Sequence, residues 1–233
     1  MIYLTGDTHG DFRRIKQFCQ RMDTTLDDTL IILGDAGFNY FGNYRDRNAK
    51  IFAAKLPITL LCIHGNHEMR PTSVPTYKEK LYQSGTVWYE EDYPNILFAK
   101  DGEIFDFDGK RCIVIGGAYS VDKYYRLAMG WNWFPDEQPS EAIKQQVEKQ
   151  LASVGNTVDI VLSHTCPIKY EPTEVFLKEI DQSTVDKSTE FWLGEIEKKI
   201  TYSKWYCGHY HIAKKIDKLQ FMFGDYDVLD TGG

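Results

Sequence analysis

Ile2-Tyr3-Leu4-Thr5-Gly6-Asp7-Thr8-His9-Gly10 opens the chain: a short strand-like run that ends in a turn carrying a carboxylate, an imidazole and two glycines. The same phrase recurs four times. Thr29-Leu30-Ile31-Ile32-Leu33 runs into Gly34-Asp35, and Thr59-Leu60-Leu61-Cys62-Ile63 into Gly65-Asn66-His67-Glu68. Val158-Asp159-Ile160-Val161-Leu162 precedes Ser163-His164, and Lys204-Trp205-Tyr206-Cys207 precedes Gly208-His209-Tyr210-His211. Nearly continuous apolar runs bounded by turn residues suit strands covered on both faces. In open α/β sheets, ligands bind beyond the carboxyl ends of the strands. Five such loops at one sheet edge converge on one site.

Helix patterns separate these runs. Asp11 to Arg21 spaces Phe12, Ile15, Phe18 and Cys19 on one face, with Asp11 as N-cap. Arg45 to Leu56 and Ser140 to Leu151 read similarly, and another helix is expected from Ser183 or Thr184 to Ile200, with Phe191, Trp192 and Ile196 on one face. Between Asn95 and Gly117, three short apolar runs are divided by Asp101-Gly102 and Asp108-Gly109, each a hairpin signal. This predicts a meander, so the sheets are mixed rather than purely parallel. A last pair of strands is expected between Ala213 and Val228. With no repeat or long linker, a single domain over 1–233 is the economical expectation.

Composition narrows the function classes. Apolar residues make up 42% of 233, enough for a large core without disulfides or structural zinc. A net charge of −7 with no basic stripe disfavours a general affinity for nucleic acid, though a local basic groove stays open, and implies no membrane surface. Five cysteines in no CxxC spacing, three of them within strand-like runs, suit a reducing compartment. Cys166, two residues after His164, is read as packing rather than as a sulfur ligand. No signal peptide is expected, since the first strand-like run leads straight into the first motif, and no apolar run nears the ~20 residues of a membrane span. The expected location is cytoplasmic.

Five of the 6 histidines fall in the polar turns. With two carboxylates and an amide they form a mixed oxygen and nitrogen ligand set for divalent metal. A two-metal hydrolytic centre needs such ligands around each ion, with one carboxylate shared. One ion could take Asp7, His9 and His211, the other Asn66, His164 and His209, with Asp35 bridging. In extended backbone, residues i and i+2 point the same way, which suits Asp-x-His and His-x-His.

The ordered set D-x-H, GD, GNH-[DE], a lone histidine and GH-x-H resembles the calcineurin-like metallophosphoesterases from end to end. The resemblance implies a four-layer α/β sandwich, two mixed β-sheets flanked by α-helices. It also implies a binuclear site holding two divalent metal ions, with Mn the first expectation and Fe or Zn the alternatives, on the seven ligands named above. His67 matches the family histidine that is not a ligand but serves the leaving group. The implied reaction is hydrolysis of a phosphomonoester or phosphodiester of small size by a metal-bridging hydroxide. Glu68 is expected to fix the turn, and His64 to be structural.

One departure matters. The middle motif of the protein serine/threonine phosphatases, GD-x-x-DRG, is absent: Phe38 stands where its second Asp would be, and no Arg-Gly pair follows. The Asp that orients the histidine and the Arg that grips phosphate are both missing locally, which counts against protein phosphatase activity. Arg45, Arg47 and Arg70 are candidates for phosphate contact. Residues 118–139 form an aromatic-rich loop with Tyr124, Tyr125, Trp131, Trp133 and Phe134, together with Lys123 and Arg126 as further candidate substrate contacts. It could overhang the site and stack an aromatic group. A catalytically silent interaction module on the same fold and a nuclease are the competing readings.

Overall fold

The computed structural model describes residues 1–229. The recurring runs are β1 (Ile2–Thr5), β2 (Thr29–Ile32) and β3 (Thr59–Cys62). Between them lie α1 (Phe12–Met22) and α2 (Tyr44–Ala53). The chain continues through β4 (Lys78–Tyr82), β5 (Gly85–Glu90) and β6 (Tyr93–Ala99). β1, β2, β3 and β6 are parallel neighbours, extended by the antiparallel β5 and β4. The second half gives β7 (Ile104–Phe107), β8 (Lys110–Ile115), α3 (Lys123–Ala128), α4 (Glu141–Ser153) and β9 (Ile160–Ser163). It ends with α5 (Ser188–Lys199), β10 (Lys204–Cys207), β11 (Lys214–Ile216), β12 (Leu219–Phe221) and β13 (Tyr226–Val228). The seven-stranded sheet has the order β13-β1-β2-β3-β6-β5-β4, the six-stranded one β11-β12-β10-β9-β8-β7.

Alternation along each strand explains the unbroken apolar runs. Ile31 and Leu61 face the second sheet and meet Val114, Leu162 and Tyr206 in a core between the sheets. Their neighbours Leu30, Ile32 and Leu60 point the other way, onto Ile15 and Phe18 of α1 and Ala53 of α2. On the second sheet Ile113, Val161 and Trp205 pack outward on Val147 and Leu151 of α4 and Leu193 and Ile196 of α5. Four layers result, two mixed sheets between helices, as expected. Asp11 caps α1 as expected, accepting from the Arg14 N–H, and Ser140 caps α4, accepting from that of Ile143.

Several expectations need correction. Asp108-Gly109 closes the hairpin of β7 and β8, but Asp101-Gly102 does not close one. It carries the chain from β6 in the first sheet to β7 in the second, so the meander is broken between two layers. The stretch from Ala213 to Val228 holds three strands, of which β13 returns to pair with β1. α5 starts at Ser188, because a 3-10 turn at Gln182–Thr184 spends the earlier residues, and Phe191 points to solvent while Leu193 takes the buried face. The hairpin of β4 and β5 had no clear pattern in the sequence. All five cysteines are free and buried, Cys166 in the core under α5. No helix among the described residues is long and apolar enough to cross a membrane.

Candidate metal centre

The five polar turns leave the carboxyl ends of β1, β2 and β3 in one sheet and β9 and β10 in the other. They meet at one end of the packed pair of sheets, not along one sheet as expected. Four of the seven candidate ligands, His9, Asp35, His209 and His211, have φ between 45° and 69°. Left-handed backbone is uncommon outside glycine, and its concentration here marks a constellation held in place by its surroundings. Gly34, at φ +98°, lets two loops close on each other: a Cβ there would lie 2.0 Å from Nδ1 of His164.

Two ligand groups emerge, each with its atoms within 4.8 Å of one another: Asp7, His9 and His211, and Asp7, Asp35 and His164. In the first, Nε2 of His9 and Nε2 of His211 stand 2.9 Å apart. Oδ1 of Asp7 accepts from the His209 backbone N–H at 2.8 Å. Its Oδ2 is buried with no hydrogen-bond partner, 3.2 Å from Nε2 of His211 and 3.7 Å from that of His9. Burial alone would raise the Asp7 carboxyl, but the contact with His211 and the electrostatic influence of the neighbouring His164 and His9 rings hold it below the usual carboxylate range. An orphaned anionic oxygen beside two facing imidazole nitrogens has the donor set that a divalent cation satisfies.

The second group is assembled through Asn66. His164 donates from Nδ1 to the Leu33 carbonyl at 2.8 Å, which leaves Nε2 as its lone-pair nitrogen. That nitrogen lies 2.8 Å from Oδ1 of Asn66, and Nδ1 of His209 lies 3.1 Å from the same oxygen. A short chain fixes which amide atom faces them. Ser120 donates its hydroxyl to Glu137 at 2.5 Å, so it accepts from Nδ2 of Asn66 at 2.8 Å. Trp133 donates to the same Glu137 oxygen at 2.9 Å. Burial holds His209 well below its ordinary pKa, reinforced by His164, which keeps it a neutral donor. Asp7 belongs to both groups, while Asp35 stands with His164 in the second only.

Depth divides the centre. His164 and Asn66 are 0% and 2% exposed, whereas the side chains of His9 and His211 are 39% and 48% exposed, so approach is from the His9–His211 side. His67 stands at that mouth. Its backbone N–H donates to Oδ1 of Asp35 at 2.8 Å, and its Nε2 lies 3.8 Å from Oδ2 of Asp35. Burial lowers its pKa against the raising effect of Asp35. Glu68 accepts from the Gly65 N–H at 2.9 Å and so braces the turn.

The candidate substrate contacts separate clearly. Arg126 reaches the site: its Nη2 lies 3.4 Å from Nε2 of His67, its Nε bonds the Asp122 carboxylate at 2.8 Å, and Nη1 donates to Tyr40 at 3.0 Å. Arg70 does not; it is buried and ion-paired to Asp101 at 2.5 Å. Arg45 is exposed on α2 over the Phe41 ring, and Lys123 lies 4.1 Å above Trp133. Phe38 stacks on Phe12 in the core at 4.6 Å. Ser120 and Glu137 escaped the sequence reading. Nothing in their local pattern marks them, because their role depends on the amide they orient.

The family model for the calcineurin-like phosphoesterases matches residues 1–213. Among solved structures, TT1561 of Thermus thermophilus is similar in fold, with a TM-score of 0.52 at 13% identity over 95% of this chain and 87% of that one. A protein of unknown function from Aquifex aeolicus, AQ665, aligns over 73% of this chain and 81% of its own at 16% identity, with a TM-score of 0.32. No curated protein matches the sequence. The chain belongs to the calcineurin-like phosphoesterase family.

Proposed function

We propose that this protein is a binuclear metal-dependent phosphoesterase, with Asp7, His9, Asp35, Asn66, His164, His209 and His211 as metal ligands and His67 as the catalytic histidine. The observation that carries the reading is the orphaned Asp7 oxygen facing two imidazole nitrogens that themselves stand 2.9 Å apart. Two bound divalent cations, Mn first among the candidates, would supply Lewis-acid stabilisation of a phosphoryl group and a water of lowered pKa. The protein's own groups do the rest. Ser120 and Glu137 hold the Asn66 amide oxygen toward the imidazoles, and the Leu33 carbonyl fixes the His164 tautomer. Asp35 tethers His67 through the backbone. In its protonated form His67 would donate from Nε2 to the departing ester oxygen, and Arg126, whose Nη2 lies 3.4 Å from that nitrogen, would turn to bind a non-bridging oxygen.

The test is turnover of bis-p-nitrophenyl phosphate and p-nitrophenyl phosphate by chelator-treated protein before and after addition of Mn²⁺. Two equivalents of bound metal with metal-restored hydrolysis support the reading; metal-independent or absent hydrolysis in fully loaded protein overturns it. A nuclease is the second reading, because a cleft of about 660 Å³ beside β13 is lined by Arg14, Arg21, Lys214 and Lys215. Its field is weakened by Asp225 and Asp227 in the same wall and by the pairing of Lys214 with Glu174.

A further inference from the structure

Two cavities open on the metal centre, and His67 is the one residue that lines both. The larger, about 420 Å³, starts at Asn66, His67, His209 and His211. It runs under the irregular segment after β9, between Tyr119, Val175, Phe176, Ile180, Val185 and Tyr210. Phe176 and Tyr210 lie nearly parallel within it, 17° apart with centroids at 6.2 Å. The smaller, about 280 Å³, starts at His9, Asp35 and His67 and is walled by Tyr40, Phe41, Arg126 and Trp131. A phosphorus atom at the cluster therefore has an apolar or aromatic recess on each side. Each recess is large enough for a ring-sized group.

Charge favours the same reading. Among the described residues lining the two cavities, the lysine and arginine side chains are Lys187 and Arg126, and both are already ion-paired, with Glu171 and Asp122. Asp122, Glu171, Asp186 and Glu190 line the larger cavity. A monoester brings a second negative charge and only one organic arm. It would leave one recess unfilled, and beyond the metals its second charge would meet only Arg126 and Lys187, each already shared with a carboxylate.

Building on the phosphoesterase reading above, we propose that the substrate is a small phosphodiester whose two uncharged, largely apolar or aromatic arms occupy these two recesses, one on each side of His67. Hydrolysis breaks one P–O ester bond and forms one P–O bond to the oxygen of water. It releases an alcohol, which takes one proton of that water, and a phosphomonoester. The monoester, with a second charge and one arm, fits the cavity pair less well and leaves.

Calorimetric titration of the metal-loaded protein with diphenyl phosphate and with phenyl phosphate tests this without turnover. Diphenyl phosphate should bind at least about tenfold more tightly. Phe176→Ala and Trp131→Ala, both in partly exposed positions, should each weaken diphenyl phosphate by about three- to tenfold, the usual range for a lost aromatic contact. The double variant should show the product of the two, because the recesses share only His67. Circular dichroism and metal content of each variant confirm that fold and centre are intact. Equal or tighter binding of phenyl phosphate overturns the proposal. So do substitutions that leave diphenyl phosphate unaffected, or a clear preference for a single-stranded oligonucleotide over both probes. Should diphenyl phosphate bind as expected while no ester is hydrolysed, the two-armed site stands and the enzymatic reading fails.

Discussion

At the scale of single residues, the centre makes separable predictions about who holds metal and who acts on substrate. Asp35→Asn should lose at least one ion and nearly all activity if Asp35 bridges. Elemental analysis showing both ions retained would pass that role to Asp7, which reaches both ligand groups. His67→Ala should keep both ions yet lose roughly 10²–10⁴ in rate, the range of general acid catalysis. The loss should be smallest with p-nitrophenyl esters, whose leaving group departs unprotonated, and largest with alkyl esters. An equal loss for both ester types, or a depleted centre, would make His67 a ligand or a brace. Ser120→Ala frees the Asn66 amide to rotate, and metal affinity should fall about 10- to 100-fold, read by competition with a chromogenic chelator. The seven candidate ligands could be picked out in the sequence because chemistry and spacing repeat there, and the fold brings Asp7, His9, Asp35, His164 and His211 into two groups. Ser120, Glu137 and the placement of Arg126 beside His67 were not, since each depends on a loop conformation that local composition does not specify.

At the scale of elements, the strand-turn joints carry the site. Gly34 closes the joint after β2, and an added Cβ would strike the His164 ring at 2.0 Å as well as demand a left-handed backbone. Gly155 has similar backbone handedness, at φ +66°, but nothing within 4 Å of its Cβ position. Gly155→Ala should therefore cost only the conformational term, about 1–2 kcal/mol. Gly34→Ala should cost more and empty the second ligand group, with denaturant midpoints and metal content as the measurements. A Gly34→Ala protein as stable as Gly155→Ala would refute the close-packing account. Strands with residues buried on both faces announced themselves as apolar runs. The edge hairpin of β4 and β5 did not, being largely exposed on β4. Asp101-Gly102 misled for a related reason: the dipeptide specifies a turn, while the packing of β7 on β8 decides which sheet the chain enters.

At the scale of the whole molecule, buried carboxyls couple stability to pH. Burial pushes Glu190 up to about 7, against roughly 4.3 for a free glutamate. Between those values the folded chain keeps a proton that the unfolded chain releases, so this group's contribution to stability falls as pH rises through the window and levels off above it. Glu190→Gln should match the parent near pH 4 and exceed it by up to about 3 kcal/mol at pH 8, measured by urea unfolding. A constant difference across that range would show that Glu190 titrates normally. The division of the ligands between two sheets has a separate consequence. Asp7, Asp35 and Asn66 ride on one layer, His164 and His209 on the other, and the polypeptide first passes between layers at Asp101-Gly102, with only β13 of the described strands returning later. Neither layer carries the full set of candidate ligands, so metal binding would gauge how well the layers are aligned. A chain cleaved at that crossing should regain its ions only as its two pieces reassociate, which turns metal retention into a reporter of assembly.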